Sequence, residues 1–180
     1  MLESKAEVYT PSESGLASWI GTGVHHYIEH TLDLEGAEHE KKVSVLDLEG
    51  YGQIGGNVDL VYDNQVWDWK VLGKYSFDKM RLEYLDNPNR IPKTVYRVQQ
   101  HSYAFGLRQQ GYKIDKVNIV AFPKISNNWD DIKVFTENYN EELVLAAFDR
   151  TRLVWKYCQE GRVEELPRDL DDCYDCSRWN

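Results

Sequence analysis

The chain has 180 residues, of which 42% are hydrophobic, and carries a formal net charge of −9. That length and apolar content suffice for one domain with its own core, while the negative charge argues against a broad nucleic-acid-binding surface. The longest apolar run, residues 143–148, is too short to cross a membrane, and charged residues interrupt any signal peptide, so we expect a soluble cytoplasmic protein.

The first half of the chain predicts one helix followed by three strands. The helix is expected at about 15–32, and the strands at about 41–48, 53–62 and 65–72. A long polar connection is expected at 73–93, since it holds Asn87-Pro88-Asn89 and a second proline at position 92.

The second half predicts two more helices and two short strands. The helices are expected at about 94–110 and 140–160, with Asn140 as the cap of the latter, and the strands at about 117–122 and 132–136. These patterns indicate a single α/β domain over 1–180, with its core at about 15–160 and an acidic tail from 162.

The clearest local signal is a hairpin over residues 56–70. Two alternating runs rich in β-branched and aromatic residues, 56–62 and 65–70, flank Asp63-Asn64, and such a pair of polar residues is typical of a two-residue turn. This segment therefore predicts two paired strands in a fixed register.

The hairpin brings two acids together. If Tyr62 and Gln65 flank the turn, antiparallel pairing places Asp59 opposite Asp68, with Cβ atoms about 5 Å apart. Two carboxylates at that distance repel each other unless a cation lies between them, and a hard divalent cation suits oxygen ligands. Lys70 is two residues from Asp68 and so shares its sheet face.

These residues also form a recognisable motif. Gly-x-x-Asp ending at Asp59, followed by Asp-x-Lys from Asp68 to Lys70, resembles the PD-(D/E)XK nuclease superfamily. The segment Gly21-Thr22-Gly23-Val24-His25 resembles the Gly-Thr-x-hydrophobic-His motif of RecB-type nucleases, and the segment from Gln99 to Tyr103 resembles their Gln-x-x-x-Tyr motif. The motifs follow the family's order, and the resemblance covers about residues 15–123.

The resemblance implies a restriction-endonuclease-like αβββαβ core, a mixed sheet flanked by helices, and a metal centre. In the family the matching residues make His25, Asp59, Asp68 and the backbone carbonyl of Trp69 ligands of Mg²⁺ or Mn²⁺. Lys70 is then expected to position the attacking water and stabilise the phosphorane charge.

Further residues are weaker candidates. The resemblance makes Gln99 and Tyr103 DNA contacts, although Tyr103 on an amphipathic helix would also suit a core. Glu29 lies one helical turn after His25 on the same face, so it is a candidate ligand or a solvated residue. Arg97 is a candidate phosphate contact.

A basic band surrounds these helical candidates. Residues 74–116 hold nine Lys or Arg and four acids, a local charge of +5. Such a band suits a DNA-facing surface, and an ordinary solvated surface would produce it equally well.

The cysteines argue against an iron–sulfur cluster. Many RecB-like exonucleases hold such a cluster with one cysteine before the first helix and three near the C-terminus, whereas this chain has no cysteine before Cys158. Cys173 and Cys176 form a Cys-x-x-Cys pair, which leaves open a zinc site or free thiols.

The sequence therefore predicts a metal-dependent DNA nuclease, with exonuclease action in recombination or DNA end processing. The resemblance is closest to CRISPR-associated and phage exonucleases, so DNA ends and a recombination or CRISPR-type assembly are the expected partners, in a bacterial or phage-infected cell. Two alternatives remain open: a catalytically idle nuclease-fold module that binds DNA or docks on an assembly, and a structural protein whose acids and lysine form an ion cluster.

Overall fold

A computed structural model of the protein describes residues 15–167, apart from the side chains of residues 16 and 17. The elements are, in chain order, α1 (Gly15–Thr31), β1 (Glu38–Leu48), β2 (Gly52–Tyr62), β3 (Gln65–Leu72), α2 (Lys74–Asp86), α3 (Thr94–Gln109), β4 (Lys116–Pro123), β5 (Lys133–Asn138) and α4 (Glu141–Gln159). Two single-turn 3-10 helices, Trp129–Asp131 and Val163–Glu165, complete the described chain. The α/β class and the αβββαβ core order predicted from the sequence are confirmed. None of the described helices combines the length and apolar character needed to span a membrane.

The strands form one mixed sheet in the order β1-β2-β3-β4-β5. All neighbouring strands run antiparallel except β3 and β4, which are parallel. Parallel neighbours need a long crossover, and α2 and α3 supply it. The three N-terminal strands thus form a meander, and the crossover then returns the chain to the open side of β3.

The predicted hairpin turn is confirmed. Asp63 and Asn64 have φ values of 50° and 58°, and two successive positive φ values are typical of a type I′ turn. Tyr62 pairs with Gln65, as expected, and the ladder continues through Leu60 and Trp67. The paired register ends there, so Asp59 and Asp68 do not pair in the ladder. The prediction that Asp59 lies directly opposite Asp68 as a ladder pair is therefore wrong.

The two faces of the sheet carry different helices. On one face, Leu60 and Trp69 pack with Ile28 of α1. On the other, Val66 and Ala104 of α3 belong to the main core. Because alternate residues of a strand point to opposite faces, β3 lies between α1 and α3. The backbone and side chains of β3 can therefore contact both helices.

Strand β2 twists sharply at Asp59. Val58 belongs to the main core on the α3 side, whereas Leu60, two residues later, packs on the α1 side. Residues two apart in a regular strand share a face, so the strand changes orientation between them. Asp59 lies where the orientation changes, so its side chain does not follow the regular alternation of sides along the strand.

The connection predicted at 73–93 is wrong over most of its length, because Lys74–Asp86 forms helix α2. Phe77 and Met80 are buried and Tyr84 packs against the same core, at helical spacings of three and four residues. The polar residues between them face solvent, and the prolines on which the prediction was based follow the helix.

Candidate active site

Asp59 is held at the point where β2 and β3 separate. The backbone N–H of Trp69 donates a hydrogen bond to Asp59 Oδ2 over 2.8 Å. In a regular ladder the Trp69 N–H would donate to a backbone carbonyl of β2, and here the Asp59 carboxylate accepts it instead. Hydrogen bonds to a charged acceptor are stronger than those to a neutral one. The same interaction ends the regular ladder and places the Asp59 carboxylate beside β3.

Helix α1 brings His25 to the same point. Its Nε2 is 2.7 Å from the carbonyl oxygen of Trp69, and its Nδ1 is 3.3 Å from Asp59 Oδ2. The hydrogen bond with Asp59 raises the pKa of His25, although burial opposes it. Three of the predicted metal ligands, namely His25, Asp59 and the Trp69 carbonyl, are thus brought together.

Asp68 and Lys70 form a buried pair on the α3 side of β3. Asp68 is only 3% exposed, and Lys70 Nζ lies 2.9 Å from its Oδ1 and 2.7 Å from its Oδ2. The Lys70 ammonium also lies 5.2 Å from the ring centre of Tyr96 on α3. Burial raises the pKa of Asp68 to about 6, and the Asp59 carboxylate adds to this while Lys70 opposes it. Asp68 is therefore mainly ionised at neutral pH.

The geometry fits a divalent cation. Although the Lys70 ammonium is near both oxygens, only Oδ1 of Asp68 meets hydrogen-bond geometry, and the buried Oδ2 has no hydrogen-bond donor among the described residues. Buried polar atoms are normally satisfied, so this oxygen has capacity for a further partner. His25 and Asp59 supply an imidazole and a carboxylate, which suit Mg²⁺ or Mn²⁺, whereas Asp68 does not belong to the described group whose ligand atoms lie within 4.8 Å of one another.

The sequence analysis missed Glu40 on β1. One ligand atom each of His25, Glu40 and Asp59 lies within 4.8 Å of the others. The signal that could have found Glu40 is the register of β1 against β2, because it places Glu40 across from Asp59.

Gln99 and Tyr103 lie beside the first residue of the Gly-x-x-Asp motif. Gln99 Nε2 donates a hydrogen bond to the hydroxyl of Tyr103 over 3.2 Å. A Cβ added to Gly56 would lie 2.4 Å from that hydroxyl oxygen, so the glycine makes room for the tyrosine. The two α3 residues are thus anchored on β2, three residues before Asp59.

Glu29 and Arg97 have other partners. Glu29 groups with His26 and His30 on α1 rather than with His25. Arg97, the candidate phosphate contact, donates through Nε to both carboxylate oxygens of buried Glu137, each over 2.8 Å. This ion pair joins α3 to β5, and the role of Arg97 as a phosphate contact stays a prediction.

Other cations of the basic band are paired as well. Lys74 pairs with Asp78 at 2.7 Å, and Lys79 with Glu83 at 3.7 Å, each one helical turn apart on α2. Such exposed pairs contribute little stability, so the ammonium groups stay accessible to an anion. Cys173, Cys176 and the acidic tail from residue 168 lie outside the described residues. Cys158 is exposed on α4.

The fold has similar solved structures. An alkaline exonuclease, LHK-Exo, from Laribacter hongkongensis matches with a TM-score of 0.50 and 11% identity, over 82% of this chain and 68% of that one. LHK-Exo in complex with dAMP matches with a TM-score of 0.49 and 12% identity, over the same shares of the two chains. This likeness supports the mixed α/β fold predicted from the motifs. No protein-family model matches the sequence, and no curated protein is similar to it.

Proposed function

We propose that this protein is a metal-dependent DNA nuclease with exonuclease action. The observation that carries the proposal is the convergence of His25, Asp59 and the Trp69 carbonyl beside the buried pair of Asp68 and Lys70. The nuclease fold adds support, and the exonuclease name of LHK-Exo favours action at DNA ends.

The proposed ligands are His25, Asp59, Asp68 and the Trp69 carbonyl. A divalent cation bound by them would lower the pKa of a water molecule and neutralise charge on the phosphate. Asp59 is oriented by the Trp69 amide, and Asp68 by burial and by Lys70, so the carboxylates are fixed in advance. Such preorganisation reduces the cost of adjusting the site during reaction.

Lys70 is the proposed catalytic cation. Its ammonium is held between Asp68 and the ring of Tyr96, and its side chain is 20% exposed, so it can contact a phosphate oxygen. It would stabilise the negative charge that develops on the phosphorus oxygens during attack by water. Gln99 and Tyr103 are proposed to bind the DNA backbone on the α3 side.

The test is cleavage of end-labelled linear and circular DNA, single- and double-stranded, with Mn²⁺, Mg²⁺ or EDTA. The wild-type protein is expected to degrade linear DNA only with metal. Lys70→Ala is expected to lose at least about 100-fold in rate, a loss typical of removing one group that stabilises developing charge. Lys133→Ala, which removes an exposed lysine of β5, is the matched control and should cut like wild type.

The outcomes separate the alternatives. Cutting of circles would make the protein an endonuclease. DNA binding that survives EDTA, with no turnover in either metal, would support the idle binding module. A folded Lys70→Ala protein as active as wild type would refute the proposed role of Lys70, and melting curves should accompany the assay because the substitution leaves Asp68 without its partner.

A further inference from the structure

Glu40 faces Asp59 across the β1–β2 ladder without pairing with it. On one side of this position His39 pairs with Leu60, and on the other Lys41 pairs with Val58. The same antiparallel register places Glu40 directly opposite Asp59, yet this one step of the ladder is missing. Two carboxylates therefore face each other at the only interruption between Glu38 and Ser44.

The backbone of Glu40 is strained at this step. Its φ is 47°, a left-handed conformation that is uncommon for residues other than glycine, asparagine and aspartate. Asp59, opposite it, lies where β2 changes its orientation between Val58 and Leu60. Both strands thus depart from regular geometry at the two acids, and such departures persist where something in the structure compensates for them.

No lysine or arginine among the described residues balances the two carboxylates at this step. Glu40 Oε2 accepts a hydrogen bond from Asn57 Nδ2 over 3.1 Å, and Asp59 contacts His25. Within residues 15–167 neither carboxylate forms an ion pair with a lysine or arginine. Opposed like charges destabilise a strand pair, so a cation bound between the two carboxylates would stabilise this step.

The net charge indicates which cation fits. Glu40, Asp59 and Asp68 carry three negative charges when ionised, Lys70 carries one positive charge, and a metal-binding His25 is neutral. One divalent cation would neutralise the remainder. The buried Asp68 Oδ2 lies 2.7 Å from the Lys70 ammonium but has no donor in hydrogen-bond geometry among the described residues, so it can accept a further partner.

We infer that Glu40 is a further ligand of the divalent cation proposed for this site, and that Asn57 positions its carboxylate. The inference rests on the proposed function. Glu40 is exposed, so it would bind the cation from the solvent side, opposite the buried Asp68. In this arrangement the strained backbone of β1 at Glu40 places a carboxylate beside the cation. The same strain lowers the stability of the metal-free protein. A glutamate that is only solvated would leave the metal affinity unchanged when it is substituted, and a ligand would not.

The test is calorimetric titration of the full chain with Mn²⁺. Glu40→Gln is expected to bind Mn²⁺ at least about tenfold more weakly than wild type, a loss of the size seen on removing groups that support a metal site. Asp47→Asn removes another exposed carboxylate of β1 and is the matched control, expected to bind like wild type. Asp59→Asn is the positive control for loss of binding.

A second variant separates a ligand from a purely structural residue. Glu40→Gly accommodates the positive φ without a Cβ, so it is expected to melt at a higher temperature than wild type without metal, and to bind Mn²⁺ more weakly. A rise in melting temperature with unchanged Mn²⁺ affinity would overturn the inference.

The remaining outcomes are also decisive. If Glu40→Gln binds like wild type while Asp59→Asn does not, the inference fails and the proposed function stands. If Asp47→Asn loses as much affinity as Glu40→Gln, the effect is one of overall charge and the inference fails. If the wild-type protein binds no Mn²⁺, both the inference and the proposed metal dependence fail.

Discussion

Asp59 accepts the backbone N–H of Trp69 at 2.8 Å, and this single hydrogen bond decides where the β2–β3 ladder stops. Beyond it the strands separate, so an acid of β2 and the carbonyl of Trp69 on β3 can both contact His25 of α1. A continuous ladder would have used the Trp69 amide for strand pairing instead. Asp59, one of the proposed metal ligands, is therefore also the residue at which the two strands of the hairpin separate.

Asp59→Asn should separate metal binding from folding. The amide oxygen of asparagine can still accept the Trp69 N–H, but it lacks the charge that attracts a cation. Adding Mn²⁺ at 100 times the dissociation constant should stabilise the wild-type protein by about 2.7 kcal/mol, and the variant by much less. Melting curves with and without Mn²⁺ check this, and an equal gain in both proteins would contradict it.

Gly56→Ala should be destabilising because of Tyr103. The added methyl group would lie 2.4 Å from the tyrosine hydroxyl and 3.0 Å from the ring carbon that bears it. We expect a loss of about 1–3 kcal/mol in the free energy of unfolding, as for other overpacked sites. In a Tyr103→Phe background the loss should shrink, because the closest atom is gone. Urea denaturation of the four proteins measures the coupling, and additive effects would show that the two residues do not interact.

Glu137 should contribute stability that depends on pH. Burial alone would raise its pKa, but the His101 imidazole at 3.5 Å and hydrogen bonds from Arg97 and from the Ile91 backbone N–H lower the pKa of Glu137 to about 2. A carboxyl whose pKa is lower in the folded protein stabilises it above the unfolded value, near 4.5, and this contribution disappears as the pH falls through 2. The full contribution is about 3 kcal/mol.

The comparison of wild type with Glu137→Gln measures this contribution. Urea denaturation at pH 7, 4.5 and 2.5 should show a difference in stability between the two proteins that is largest at pH 7 and shrinks at pH 2.5. A difference that stays constant over this range would show that Glu137 acts through its shape rather than its charge.

The helix α2 should be anchored by Met80. This side chain is 2% exposed in the main core, so Met80→Ala is expected to lose about 2–4 kcal/mol in the free energy of unfolding. Leu85, also on α2, is 68% exposed, and Leu85→Ala should change stability by less than about 0.5 kcal/mol. Equal effects of the two substitutions would indicate that residues 74–86 do not pack as a helix on this core.

The sequence predicts most of the sheet and proposes the residues of the candidate site because those features are local. The turn at Asp63-Asn64 sets the register of β2 against β3, and the short motifs then identify Asp59, Asp68 and Lys70. The prediction of a connection at 73–93 is wrong because it is based on the prolines that follow α2. The helical spacing of the apolar residues Phe77 and Met80 indicates the helix.

The missed features depend on contacts between distant parts of the chain. Arg97 and Glu137 are 40 residues apart, and no spacing rule pairs them. Glu40 could be found only from the register of β1 against β2. That register shifts between Ser44 and Leu46, which makes counting back from the turn unreliable.

The crossover between β3 and β4 also sets an order of assembly. His25, Glu40, Asp59 and Asp68 all precede the crossover, and β4, which follows it, pairs Ile119 with Asp68. A domain generally folds as a unit, so the sheet is complete only when β4 has been made. A chain that ends before β4 would leave β3, which carries Asp68 and Lys70, as an unpaired edge strand.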